Sequence, residues 1–196
     1  CAYEPENTLR SIKKAIELDL DGVEIDVRRC KSKEIVAIHD EKVDRTTNGK
    51  GFVKDFSLKD LKKFDAGSGQ KIPTLEEVID FIKNINMKNK KQIKSIIELK
   101  EKNLEKDIVK LIKKYNVINN TITVSFYHQL IKNIKKLNRE INAGILFVGN
   151  PISIVDLAKS SKSDFIFPNF NYVDKDLVNN AHENKLKVYV WNIDDV

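Results

Sequence analysis

Apolar positions along this chain alternate between two spacings. Leu9, Ile12 and Ile16 recur at helical spacing behind the polar loop Tyr3-Glu4-Pro5-Glu6-Asn7-Thr8, from which Asn7 is expected to cap the helix. Val23, Ile25 and Val27 then alternate with Glu24 and Asp26, the period of two that marks a strand. A second short strand ends at His39, and the polar Lys31-Ser32-Lys33-Glu34 between the two suits a turn. A parallel return needs a crossover of about a dozen residues, and there is no room for one. An antiparallel hairpin is expected, with His39 beside Asp26.

After Asp40 comes a polar excursion over about residues 41–71. Thr47-Asn48-Gly49 signals a tight turn, and Ser57 can cap a short helix through Leu58, Leu61 and Phe64. This stretch reads as a small insertion packed over a site, pinned by Arg45 and Asn48, rather than as part of a barrel. Thr74 and Glu77 form a capping box ahead of Leu75, Val78, Ile79 and Ile82. Strands are predicted over 95–100, 121–126, 142–148, 164–168 and 187–192. Helices separate them: one opened by Asn103, one lined by Leu130, Ile134 and Leu137, and two over 152–160 and 174–184.

Single strands alternating with single helices call for a parallel sheet with right-handed crossovers. There is no linker and no internal repeat, so one α/β domain over 1–196 is expected. An open doubly wound sheet and a TIM (β/α)8 barrel both fit. Glu24, Asp26, Glu98, Lys100, Ser125, Asn169 and Trp191 fall near C-terminal strand ends, the rim where barrels build their sites, and this favours the barrel. Six barrel strands plus the hairpin return are counted. The 196 residues are short against the ~250 of a typical barrel, so the two remaining strands are expected before Cys1 and after Val196.

Composition changes this picture little. Hydrophobic content of 41% and charged content of 33% fit a globular protein, and no apolar run approaches the ~20 residues of a bilayer span. No signal peptide is visible, and a cytoplasmic location is expected. The net charge of +6 comes from lysines scattered over helix faces without interleaved aromatics, which argues against nucleic-acid binding. Cys1 and Cys30 have neither metal nor disulfide spacing. Oligomeric state is left open.

The chemistry lies in residues 22–40. Two carboxylates on one face of an apolar strand repel each other and resist burial. Glu24 and Asp26 make sense around a cation, and oxygen ligands suit one divalent ion, Mg2+ or Ca2+, rather than zinc. His39 adds a group that titrates near neutral pH. For Glu98 the residues alone leave open whether it holds a cation or pairs with Lys100. Of the other histidines, His128 falls at a helix start and His182 within a helix.

YEPENT (3–8), GVEIDV (22–27), IHD (38–40), DRTTNG (44–49), IPTLEE (72–77), IELK (97–100) and VWN (190–192) follow one another in an order that resembles the glycerophosphodiester phosphodiesterases. The resemblance implies a TIM barrel and metal-dependent hydrolysis of small glycerophosphodiesters to glycerol 3-phosphate and an alcohol. It implies Glu24, Asp26 and Glu98 as metal ligands, His39 as one of two catalytic histidines, Lys100 as a phosphate contact and Trp191 as an aromatic wall for glycerol. It also implies that the His-Arg-Gly motif of the family's first strand, with the second histidine, precedes Cys1. Two other readings accompany it: a phosphodiesterase of lysophospholipase D or sphingomyelinase D type, and a binding domain on a barrel without activity. No apolar loop or helix suited to lipid engagement is legible.

Overall fold

The computed structural model describes residues 3–193 and begins with helix α1 (Leu9–Glu17). Thr8, not Asn7, caps α1. Its hydroxyl accepts from the Ser11 N–H, and the Ser11 hydroxyl accepts from the Thr8 N–H, so two donors at the helix start are satisfied reciprocally. Asn7 has a left-handed φ of 54°, and its side chain is spent elsewhere.

Strand β1 (Gly22–Arg29) pairs antiparallel with β2 (Ile35–Ala37), Val27 facing Ala37. The Ile38 N–H continues the pairing to the Asp26 carbonyl at 2.9 Å. The hairpin is as predicted, one position out of register: Ile38, not His39, lies opposite Asp26. Then follow α2 (Leu58–Leu61), capped by Ser57, and α3 (Leu75–Lys88), headed by the Thr74–Glu77 capping box. Beyond them strands and helices alternate: β3 (Lys94–Leu99), α4 (Glu105–Tyr115), β4 (Thr121–Ser125), α5 (His128–Leu137), β5 (Asn142–Phe147), α6 (Ile154–Ser161), β6 (Phe165–Pro168), α7 (Lys175–Glu183) and β7 (Lys187–Val188). Asn103 does not open α4. It takes a left-handed φ of 69°, and Leu104 holds the cap position without a side-chain bond.

The strands form one sheet in the order β2-β1-β3-β4-β5-β6-β7, parallel throughout except for the hairpin. This is the α/β alternation of a (β/α)8 barrel, with edges at β2 and β7 among the described residues. The last strand is shorter than expected, although hydrogen bonds from Tyr189 and Trp191 to Ile166 and Pro168 carry its pairing onward.

Alternation assigns the two faces. Val23, Ile25, Val27, Ile97 and Leu99 point outward and pack against α1, α3 and α4 through Ile12, Leu75, Val78, Ile79, Ile82, Ile108 and Ile112. Burying each large aliphatic side chain is worth about 1.5–3 kcal/mol. Ala143, Ile145 and Ile166 do the same toward α5, α6 and α7. The inner face carries Ile122, Val124, Leu146, Phe165 and Phe167. Ser125 therefore does not face inward. It is buried on the other side of β4, and its hydroxyl donates to the Leu99 carbonyl at 2.7 Å.

The excursion after β2 has a small core of its own, Cys30, Val36, Ile38, Val43, Val53, Leu61, Ala66 and Ile72. Asn48 pins it as expected, bonding the Asp65 N–H through its side chain and the Asp65 carbonyl through its own N–H. The excursion thus packs on the hairpin beside the rim.

Gly144 on β5 shows how tightly the inner face is filled. A Cβ there would lie 2.5 Å from the Phe167 ring and 3.0 Å from the Phe165 Cβ, and Phe167 is stacked against Tyr189 at 5.3 Å. Overpacking a filled core costs about 1–3 kcal/mol. Gly144→Ala is expected to lose stability in that range in urea unfolding; an unchanged midpoint and slope would show that the inner aromatic layer yields freely.

Candidate active site

The parallel register of β1 and β3 puts Asp26 directly opposite Glu98, with Glu24 one inward position below on β1. Alternation turns all three carboxylates to the inner face, and one oxygen from each lies within 4.8 Å of the others. Asp26 and Glu98 are buried. The Lys100 ammonium sits between them, 3.0 Å from Asp26 Oδ1 and 2.8 Å from Glu98 Oε1. The ion pair that the sequence left open for Glu98 is present, and so is the triple carboxylate.

Electrostatics in this cluster oppose full ionisation. Glu24 opens onto a cavity and keeps accessible area, but protein surrounds its carboxyl. That desolvation, and then the charges of Asp26 and Glu98, hold its pKa well above the usual carboxylate range. Burial also raises Glu98, against the opposing pull of Lys100. Burial works against the Lys100 ammonium as well, but its hydrogen bond to Glu98 and the charge of Asp26 outweigh it, and its pKa lies above the usual lysine value. When all are ionised, three carboxylates and one ammonium leave two negative charges. An all-oxygen donor set with that residual charge fits a hard divalent cation.

Asp26 is also held from the N-terminal loop. Asn7 Nδ2 donates to Asp26 Oδ2 at 2.9 Å, and the Asp26 N–H donates to Asn7 Oδ1 at 3.0 Å. The expectation of a helix cap missed this. A polar residue just ahead of a helix is read as a cap by spacing alone, and only the left-handed turn at Asn7 reveals the other use.

His39 follows β2 on the rim. Its ring is about half exposed, and Nδ1 lies 2.7 Å from Asp40 Oδ1. Its carbonyl accepts from Arg28 Nε at 2.8 Å. The cavity of about 570 Å³ is lined by His39, the three carboxylates, Lys100, Glu6, Asn7 and Arg45. The aromatic side chains of Phe126, Phe167, Tyr189 and Trp191 complete it. Trp191 is fixed there by a 2.8 Å bond from its Nε1 to the Phe167 carbonyl and by edge-on contact with Phe126 at 5.5 Å. Glu24, Asp26, His39, Glu98, Lys100 and Trp191 thus lie on one cavity, whereas Ser125 and Asn169 do not line it. Glu6, Arg45, Phe126 and Tyr189 join it without having been assigned to it.

His128 stands at the start of α5, where Nε2 lies 2.9 Å from the Leu146 carbonyl. His182 is exposed on α7. Asn169 caps a short 3-10 turn after β6. The rim is more apolar than the sequence suggested: Phe126, Tyr127, Val148, Ile152, Phe170 and Tyr172, from the loops after β4, β5 and β6, are exposed. They are scattered along the chain, so no single segment announces them. Among the described residues no helix is long and apolar enough to cross a membrane.

The sequence model of the glycerophosphoryl diester phosphodiesterase family matches residues 2–196. A glycerophosphodiester phosphodiesterase of Caldanaerobacter subterraneus is 37% identical over 97% of this chain and 81% of its own length. A Galdieria sulphuraria protein proposed to be the same enzyme has a crystal structure that superposes with a TM-score of 0.87 at 30% identity, over 98% of this chain and 81% of that one. A phosphodiesterase from Oleispira antarctica, crystallised with the product sn-glycerol-3-phosphate, superposes with a TM-score of 0.86 at 25% identity, over 99% of this chain and 81% of that one. Fold, site and relatives agree: this chain belongs to the glycerophosphodiester phosphodiesterase family.

Proposed function

We propose that the cavity cleaves small glycerophosphodiesters, releasing glycerol 3-phosphate and the headgroup alcohol. The observation that carries this reading is the gathering of Glu24, Asp26, Glu98, Lys100 and His39 with aromatic side chains around one cavity. The glycerol 3-phosphate bound by the Oleispira relative supports it.

Glu24, Asp26 and Glu98 would hold a divalent ion, Mg2+ or Ca2+, their oxygens and residual charge suiting either. Such an ion, when bound, offsets the negative charge of a phosphodiester and of its transition state. The remaining work falls to the chain's own groups. Lys100 brings a positive charge to the phosphate side of the cavity, where a low-dielectric wall strengthens it. Trp191 and Phe126 offer an apolar face to the carbon skeleton of glycerol. In hydrolysis a new P–O bond forms to the nucleophilic oxygen as the P–O bond to the alcohol breaks. One proton leaves the nucleophile and one reaches the departing oxygen. His39 carries one of these transfers, at the ring nitrogen Nε2 that Asp40 leaves unengaged.

A bulkier substrate is favoured by one observation, the exposed apolar residues of the rim. Choline release from lysophosphatidylcholine, compared with glycerophosphocholine, measures that preference; a higher kcat/KM on the lysolipid would make this a lysophospholipase D.

His39→Ala is expected to lower kcat on glycerophosphocholine by about 10²–10⁴-fold, the usual worth of a positioned acid or base, and to leave divalent-ion affinity unchanged. Near-normal turnover would remove His39 from the reaction. Glu98→Gln is expected to weaken Mg2+ and Ca2+ binding in calorimetric titration; wild-type affinity for both ions would remove Glu98 from the cation site.

A further inference from the structure

We propose that Arg45, acting through Asp40 on one side and the Glu6-Asn7 turn on the other, is a positioning residue that sets His39 against the acidic cluster. The proposal rests on the acid/base reading of His39.

His39 needs such support. The acidic cluster stands on β1 and β3, each paired with a strand on both sides. His39 stands beyond the end of β2, on a loop, with its ring half in solvent. A side chain so placed keeps its rotamer and tautomer only if a fixed partner sets them. Asp40 is that partner, and Asp40 also lies on the loop. What fixes Asp40 is Arg45: Nε donates to Oδ2 at 2.8 Å and Nη2 to Oδ1 at 3.0 Å. The adjacent edge of the same guanidinium, sharing Nη2, meets Glu6, Nη1 to Oε2 at 2.8 Å and Nη2 to Oε1 at 2.6 Å.

Two carboxylates thus share one planar cation through four hydrogen bonds. A lysine can bridge two carboxylates, as Lys100 does, but its single nitrogen cannot give each of them a bidentate pair in one plane. Exposed ion pairs generally contribute little, but a doubly bidentate arrangement fixes geometry as well as charge. It also joins two loops that are far apart in sequence, the excursion and the N-terminal turn. Asn7, next to Glu6 and held left-handed, then grips Asp26 through both its carboxylate and its N–H. The line of contacts His39–Asp40–Arg45–Glu6–Asn7–Asp26 runs unbroken from the imidazole to the carboxylates.

The hydrogen bond to Asp40 also selects a tautomer. Arg45 first, and then the His39 bond, hold Asp40 below the usual carboxylate range. Asp40 remains an acceptor at neutral pH. Neutral His39 is therefore protonated at Nδ1 and keeps its lone pair on Nε2. A carboxylate that orients an imidazole acts on turnover more than on binding, because a wrong tautomer places the proton on the wrong nitrogen.

The test uses the full chain and the variants Arg45→Met, Arg45→Lys and Glu6→Gln, each first checked by thermal melting. In Arg45→Met, kcat on glycerophosphocholine is expected to fall about 10–100-fold, as for other outer partners of catalytic groups, while KM and Mg2+ affinity hold. Arg45→Lys should recover only part of that loss. Long-range 15N–1H spectra read the ring nitrogens of the three histidines directly. The wild type should show neutral His39 as the Nδ1–H form, and Arg45→Met a mixture of both forms. Wild-type kcat in folded Arg45→Met, a loss confined to KM or Mg2+ affinity, or an unchanged His39 tautomer would each overturn the proposal. If Arg45→Met does not fold, the isosteric Glu6→Gln decides: a partial loss of kcat supports the coupling, and wild-type kcat refutes it. The tautomer is read without turnover, so it tests the clamp even if His39→Ala shows that His39 takes no part in the reaction.

Discussion

Two carboxylates in register on neighbouring strands are the constraint around which this molecule is arranged. Asp26 and Glu98 face each other across β1 and β3, where like charges destabilise a sheet. Each lies on the inner face because its neighbours Ile25, Val27, Ile97 and Leu99 are needed on the outer one. The period of two permits no other choice. Their repulsion is offset by Lys100, from the same strand run as Glu98, and by Asn7, from the N-terminal loop. With Glu24 beside them, three carboxylates share one ammonium, an arrangement that favours a divalent ion there.

The cavity joins closely packed and solvent-facing parts. The acids and Lys100 stand at a strand rim whose outer face is packed against α1, α3 and α4. The aromatic wall is equally braced, since Phe167 stacks on Tyr189 and Gly144 leaves room for the Phe167 ring and nothing more. His39 is the exception, lying on a loop with half its ring in water. The polar network around Arg45 stands where packing is absent, and hydrogen-bond geometry takes the place of van der Waals contact in fixing a side chain. The excursion after β2 therefore has a role beyond covering the hairpin: its own small core holds the segment that carries Arg45.

Local signals were legible wherever one strand or one helix turn decided the matter. The alternation in residues 22–27, the hairpin turn and the Thr74–Glu77 box all appear as read. Asn7 and Asn103 depart from their expected roles for one reason. Both precede helices, and cap preference cannot distinguish a cap from a residue turned left-handed. Nearness to a strand end suggests an inward Ser125, whereas the parity of β4 relative to Ile122 and Val124 places it outside.

The sequence by itself determined the α/β alternation, the inward face of Glu24, Asp26 and Glu98, and the order of motifs that marks the family. These follow from side-chain periodicity and short-range spacing, which the chain carries wherever it folds. Only the tertiary structure decided which residues meet across loops: Glu6 with Arg45, Asn7 with Asp26, Lys100 between two acids, and exposed apolar side chains from three separate loops on one rim. Such meetings depend on strand register and on the exit angle of each loop. Both are set by the packing of the whole sheet, and no local pattern encodes them.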